Sequence, residues 1–165
     1  MIALFGSSCT GKTAVAKELS RQLGIERRSC GEIVRQMATD AGVSMGALSG
    51  DDHRAIDAET RARVEASKQL VVEGRFLNYV LANAAQACPI VRLEASESTR
   101  LARMADRGTT SPPPDAIETE DRRDREFIDL MYRAVQPLAP RISIQTDGLT
   151  VAQVVDSIRK AGLMV

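Results

Sequence analysis

The sequence predicts an α/β fold, with five strands in a mostly parallel sheet and helices between them. Three observations carry this. Apolar runs of strand length alternate with segments of helical spacing along the whole chain. The first run, Ile2-Ala3-Leu4-Phe5, enters a glycine-rich loop, and a helical pattern through Val15, Leu19 and Leu23 follows it. No internal repeat interrupts the alternation, and 165 residues suit a single domain, taken as 1–165.

Each element has its own signal. Gly24 stops the first helix, and Ile25 to Ser29 reads as a short second strand. Gly31 to Ala41 carries Ile33, Val34, Met37, Ala38 and Ala41 at helical spacing, and Gly42 ends it. Ser44 to Ser67 is polar and charged, the pattern of two helices lying over the sheet rather than within it. Gln69 to Gly74 is a buried strand that closes on an acid and a glycine. Phe76 to Ala87 follows as a helix, then Pro89 to Leu93 as a strand. Ser96 is placed to cap a helix running to Arg107. Gly108 to Ala116, with Pro112, Pro113 and Pro114, reads as a loop. Glu118 to Val135 resumes as a helix, with Phe127, Leu130, Met131, Ala134 and Val135 on one face. Arg141 to Gln145 is the last strand, and Val151 to Ala161 the last helix, packing through Val151, Val154, Val155 and Ile158.

Composition excludes several classes. Charges cancel, with 22 basic against 22 acidic residues, so neither a nucleic-acid coat nor a polybasic membrane arm is expected. No apolar run approaches the ~20 residues of a membrane span, and the first one passes straight into the loop, unlike a signal peptide. Cys9, Cys30 and Cys88 are scattered, make no metal spacing and are odd in number, which points to a reduced, cytoplasmic protein. There is no Trp, so any base stacking falls to Arg, the few Phe and Tyr, or aliphatic walls.

The loop Gly6-Ser7-Ser8-Cys9-Thr10-Gly11-Lys12-Thr13 fits G-x-x-x-x-G-K-[ST]. Glycines let consecutive N–H groups turn inward onto phosphate oxygens, and Lys12 adds a point charge. Thr13 can place a hydroxyl on Mg²⁺, and the following helix offers its N-terminus to the anion. No N-K-x-D guanine motif is present, and Leu70-Val71-Val72-Glu73 lacks the paired acids of a motor ATPase. What the later segments do carry is arginines, as phosphoryl transfer between small molecules requires.

Glu73 ends a buried strand where ligands collect in such sheets, placed to hold a water on Mg²⁺ or to orient an acceptor, and Arg75 faces the same crevice. Arg35, the only basic residue between Cys30 and Asp51, is a candidate clamp for an acceptor phosphate. Arg54, Asp57 and Arg61 share a helix face, for which an ion-paired solvated surface is expected. His53 is expected to be exposed and uninvolved. Arg100, Arg103 and Arg107 lead into the proline-rich loop, and Arg122, Arg123 and Arg125 lie beyond it. Arginines bracketing one loop suit a lid that closes over phosphates.

With these residues in place the chain resembles the nucleoside monophosphate kinases, and most closely the short archaeal-type cytidylate kinases. GSSCTGKT resembles that family's phosphate loop, Gly31 to Arg35 its acceptor-phosphate block, and Ile56-Asp57 to Arg61 its acceptor-binding helix. Val71 to Arg75 is similar to its V-[LV]-E-G-R strand end, and Thr99 to Arg107 to the helix before its lid. The resemblance implies a three-layer P-loop kinase fold with strand order 2-3-1-4-5, acceptor-binding helices at about 30–67 and a lid at about 107–125. It implies ATP on the loop with Arg103, Asp147 and Gly148 bordering the adenine, and Mg²⁺ at Thr13 and Glu73. It places the acceptor on Arg35, Asp57, Arg61, Glu73, Gly74 and Arg75. Arg107 and one of Arg122, Arg123 and Arg125 would stabilise the transferring group beside Lys12. Phe76-Leu77-Asn78-Tyr79 and the Asp121-Arg122-Arg123-Asp124 start depart from the family pattern.

The expected activity is ATP- and Mg²⁺-dependent phosphoryl transfer to CMP or dCMP by a cytoplasmic monomer that needs neither nucleic acid nor membrane. Two alternatives stand beside it: a same-fold kinase of a hydroxyl acceptor with Glu32, Asp57 or Glu73 as base, and a nucleotide-binding protein without turnover.

Overall fold

The computed structural model describes residues 1–82, 84, 88–108 and 111–164. Its strands are β1 (Ile2–Phe5), β2 (Glu26–Ser29), β3 (Leu70–Gly74), β4 (Ile90–Glu94) and β5 (Ile142–Gln145). They form one sheet in the order β2-β3-β1-β4-β5, every neighbouring pair parallel, so the expected order is the observed one. The helices are α1 (Lys12–Leu23), α2 (Cys30–Asp40), α3 (Gly50–Ala66), α4 (Leu77–Val80), α5 (Glu97–Ala105), α6 (Ala116–Met131) and α7 (Val151–Lys160).

Period-two alternation sorts the strand side chains into two cores. Ile2, Leu4, Val71, Val91, Leu93 and Ile144 face Leu19 of α1 and Val155 and Ile158 of α7. Ala3, Phe5, Leu70, Val72 and Ile90 face the other way, towards Val64 of α3, Leu77 of α4 and Phe127 of α6. A parallel sheet covered on both sides explains why β1, β3 and most of β4 read as unbroken apolar runs.

Local chemistry sets the helix ends. Gly24 takes the left-handed conformation after α1, and Ser29 and Ser96 cap α2 and α5 through their hydroxyls. Ser49 with Asp52, and Thr150 with Gln153, form capping boxes on α3 and α7.

Several expectations change. Between Ser44 and Ser67 the chain makes a single 3₁₀ turn (Met45–Ala47) and one long helix, because the Ser49 capping box starts α3 sharply. α6 stops at Met131, and its packed face is Phe127, Ile128 and Met131 followed by Tyr132, while Leu130 is 78% exposed. Val151 is also exposed, since it opens the first turn of α7. The helix expected from Phe76 to Ala87 is regular only over Leu77–Val80, and its last part lies outside the described residues. Among the described residues no helix is long and apolar enough to cross a membrane.

Candidate active site

The loop between β1 and α1 owes its path to three residues at positive φ: Gly6 (141°), Cys9 (61°) and Gly11 (93°). Gly6 has a second reason to be glycine. A Cβ there would stand 2.1 Å from the Leu93 carbonyl oxygen of β4, so the loop crosses the sheet edge with no room for a side chain. Thr10 donates to the Ser7 carbonyl at 3.0 Å, and Lys12 Nζ donates to the same oxygen at 2.6 Å. Burial pushes the Lys12 ammonium down to about 8, against the pull of Glu73. An anion-shaped turn closed by a desolvated ammonium is a phosphate cradle.

Glu73, only 3% exposed, accepts from Thr13 Oγ1 at 2.9 Å and from Arg27 Nη1 at 3.3 Å. Arg27 on β2 also grips Glu32 of α2 with a single nitrogen, at 2.6 and 2.8 Å. The Thr13 hydroxyl and the Glu73 carboxylate are hard oxygen donors side by side, a pair that fits Mg²⁺ completed by phosphate and water. No three His, Cys, Asp or Glu among the described residues form a metal cage of their own.

α5 supplies arginines to the back of the loop. Arg100, 6% exposed, donates to the Ser8 carbonyl at 2.9 Å and makes a two-pronged pair with Asp121 of α6 at 2.7 and 2.8 Å. Arg103 reaches the Cys9 carbonyl at 3.2 Å and both the hydroxyl and carbonyl of Thr146 at 2.9 Å. Arg107 lies 3.8 Å from the Cys9 sulfur. Asp147 accepts from the Ser96 N–H, and its hydrogen bonds, Ser96 foremost, hold its carboxyl well below the usual range. Gly148 follows it at φ 66°. Phosphate loop, α5 and the turn after β5 are therefore brought together as expected.

A cleft of about 560 Å³ opens beside Gly6 and Ser7, bounded by β4, α4, α6 and residues 137–140. Arg75 and Arg125 line it; Arg122 and Arg123, both exposed, do not. Arg75 is held by Asp124 at 2.8 Å and Glu120 at 3.4 Å, both from α6. Gly74 is closely packed, for a Cβ there would meet Cys30 at 3.1 Å. Arg35 is exposed and does not border the cleft.

The solvated ion-paired face expected on α3 is not formed. Arg54 pairs with Asp51 instead, Asp57 accepts from the Tyr132 hydroxyl at 2.7 Å, and Arg61 Nη1 donates to the Val80 carbonyl at 3.3 Å. Desolvation raises the Asp57 carboxyl despite that hydrogen bond. His53 is half-buried, edge-on to Phe127 at 4.8 Å, and Phe127 stacks on Phe76 at 5.0 Å while Tyr132 stacks on Tyr79 at 5.2 Å. The cause is the same aromatic cluster, which draws α3 against α6 and takes these side chains inward.

Sequence reasoning missed this cluster, the partners of Arg100 and Arg75, Arg27, and Arg92. Only Arg92 left a visible trace, as one charge inside the apolar run Ile90 to Leu93.

Comparison with known proteins agrees with the geometry. A family model described as an AAA domain matches residues 2–128. A cytidylate kinase from Natronomonas pharaonis is 31% identical over 153 residues, covering 84% of this chain and 79% of that protein. Among solved structures, a gluconokinase from Sinorhizobium meliloti superposes with a TM-score of 0.66 at 19% identity, covering 97% of this chain and 89% of the other. The shikimate kinase from Aquifex aeolicus does so at 0.60 and 19%, over 97% and 94%. The chain binds nucleotide through its loop and belongs to the P-loop kinases of the nucleoside monophosphate kinase family, with cytidylate kinases among its relatives.

Proposed function

We propose that the protein transfers the γ-phosphoryl group of ATP to the phosphate of a pyrimidine nucleoside monophosphate, CMP or dCMP. The observation that carries this is the meeting of a phosphate loop and an arginine-lined cleft at Ser7, with the relatives named cytidylate kinase in support. Lys12 and the loop amides hold the donor phosphates. Thr13 and Glu73 would hold Mg²⁺, which supplies charge neutralisation across those phosphates when bound. Arg75, which lines the cleft, receives the acceptor; Arg35, Asp57 and Arg61, on the acceptor-binding helices at about 30–67, would contribute only once those helices turn them towards it.

An acceptor phosphate oxygen attacks the γ-phosphorus, its bond forms as the bond to the β–γ bridging oxygen breaks, and ADP and the nucleoside diphosphate result. The attacking oxygen is already ionised, so no general base is needed. Arg107 and Arg125, at either side of a lid at about 107–125, stabilise the charge on the transferring group. Arg125 is favoured over Arg122 because it borders the cleft.

A coupled ADP-release assay across CMP, dCMP, UMP, AMP and GMP tests the reading, with selective turnover of CMP or dCMP expected. Lys12→Ala should lower turnover by at least 10³-fold with the fold intact. Near-normal turnover in that variant refutes the scheme. A second reading takes a hydroxyl acceptor, with Glu32, Asp57 or Glu73 as the base. It predicts turnover of sugar acids or shikimate-like acids and silence with nucleotides.

A further inference from the structure

Arg92 stands in an unusual place. It lies on β4 level with Phe5 of β1, on the face that carries Ala3, Phe5 and Ile90 into the core. Strands of a parallel sheet are normally covered on both faces, and a charge there is costly unless it is solvated or paired. Here the cover stops short: the Arg92 side chain is 51% exposed, and Ser143 and Gln145 of the neighbouring β5 are exposed too. Its ion-pair partner is Glu94 at 3.1 Å, on the same strand and itself open to solvent. Core formation therefore gives no reason for an arginine at this position.

The cleft gives one. Arg92 lines it together with Arg75, Arg125 and Ser7 of the phosphate loop. Its two carboxylates are already engaged, Asp121 with Arg100 and Asp124 with Arg75. Arg125 has no ion pair among the described residues. Arg92's own partner, Glu94, lies outside the cleft lining, so Arg92 and Arg125 are the guanidinium groups that no cleft carboxylate engages. Phe76, Tyr79, Ile128 and Leu138 line the same cleft and supply its apolar and aromatic surface. About 560 Å³ is the size of a small-molecule site, and the combination fits a ligand with an anionic end and a planar or apolar body.

We propose that Arg92, with Arg125, binds the anionic group of the phosphoryl acceptor and helps set which acceptor is used, while the acceptor's ring lies against Phe76 and Tyr79. This rests on the reading of the chain as a kinase of an anionic acceptor. It adds to the acceptor-binding set a residue from β4, on the opposite side of β1 from Arg75. Guanidinium groups match phosphate and carboxylate by paired hydrogen bonds, so nucleoside monophosphates and hydroxyl acids are both acceptors of this chemistry.

The test is steady-state kinetics of wild type, Arg92→Ala, Arg92→Gln and Arg92→Lys with Mg-ATP, against the nucleoside monophosphates and a set of hydroxyl acids. Melting temperatures serve as the folding control. Arg92→Ala and Arg92→Gln should raise the acceptor KM at least tenfold and leave the ATP KM within twofold, with Arg92→Lys in between. An acceptor KM within twofold of wild type in both neutral variants overturns the inference. Turnover of hydroxyl acids alone removes the nucleotide reading and leaves Arg92 to be judged by the same KM shift on those acids. No turnover of any acceptor by wild type overturns both.

Discussion

Gly6 and Lys12 show how single residues carry the donor side. A methyl group on Gly6 would have to share space with the Leu93 carbonyl, which is strand backbone and not a flexible side chain that can yield. Gly6→Ala should cost about 2–3 kcal/mol in urea denaturation and weaken nucleotide binding in step. Lys12 titrates at about 8 when folded and near 10.5 when free. Between those values the unfolded chain holds more protons, so wild-type stability should rise with pH from about 8 to 10.5 relative to Lys12→Met. Nucleotide phosphates favour the charged form, so ATP binding at pH 8.5 should take up a proton. Calorimetry in two buffers of different ionisation enthalpy measures this, and Lys12→Met should show no such uptake. The phosphate loop was legible in the sequence because eight consecutive positions build it. Arg92 and Arg27 were not, because their meaning depends on which strand each lies beside.

At the scale of elements, α6 is the part whose role the sequence concealed. Its carboxylates looked like ordinary balance for nearby arginines, yet Asp124 and Glu120 close on Arg75 at the mouth of the cleft. On the proposed function, an incoming acceptor phosphate would compete with them for that guanidinium. Asp124→Asn should therefore lower the acceptor KM about two- to fivefold, the size of a partly exposed ion pair, with the ATP KM unchanged. The aromatic cluster was equally hidden, since Phe76, Tyr79, Phe127 and Tyr132 belong to segments far apart in the chain. Periodicity grouped Leu130 with Phe127 and Met131, but the covered face runs through Phe127, Ile128 and Met131 and leaves Leu130 outside it. The 3.6-residue pattern says which residues share a face, while tertiary packing decides which face is covered. Tyr132→Phe should cost about 1–2 kcal/mol by leaving the half-buried Asp57 without its donor, as equilibrium unfolding will report.

For the molecule as a whole, the alternation of strand and helix could be read from the chain itself. The strand order and layering came from the resemblance, since β2 (Glu-Arg-Arg-Ser) has no apolar run to place it. What could not be read was the open stretch of β4 and β5, where a helical cover was expected on both faces and one face gave way to the cleft. The two cores differ accordingly. One is a closed aliphatic layer between α1 and α7, and the other shares its helices with the site. One buried guanidinium joins the halves of the reaction: Arg100 holds Ser8 of the donor loop with one nitrogen and Asp121 of α6 with two others. On the proposed function, a rearrangement at either end should be felt at the other through this guanidinium, and donor and acceptor should then bind as linked ligands. Whatever factor a bound nucleotide introduces into acceptor affinity, the acceptor must return to nucleotide affinity.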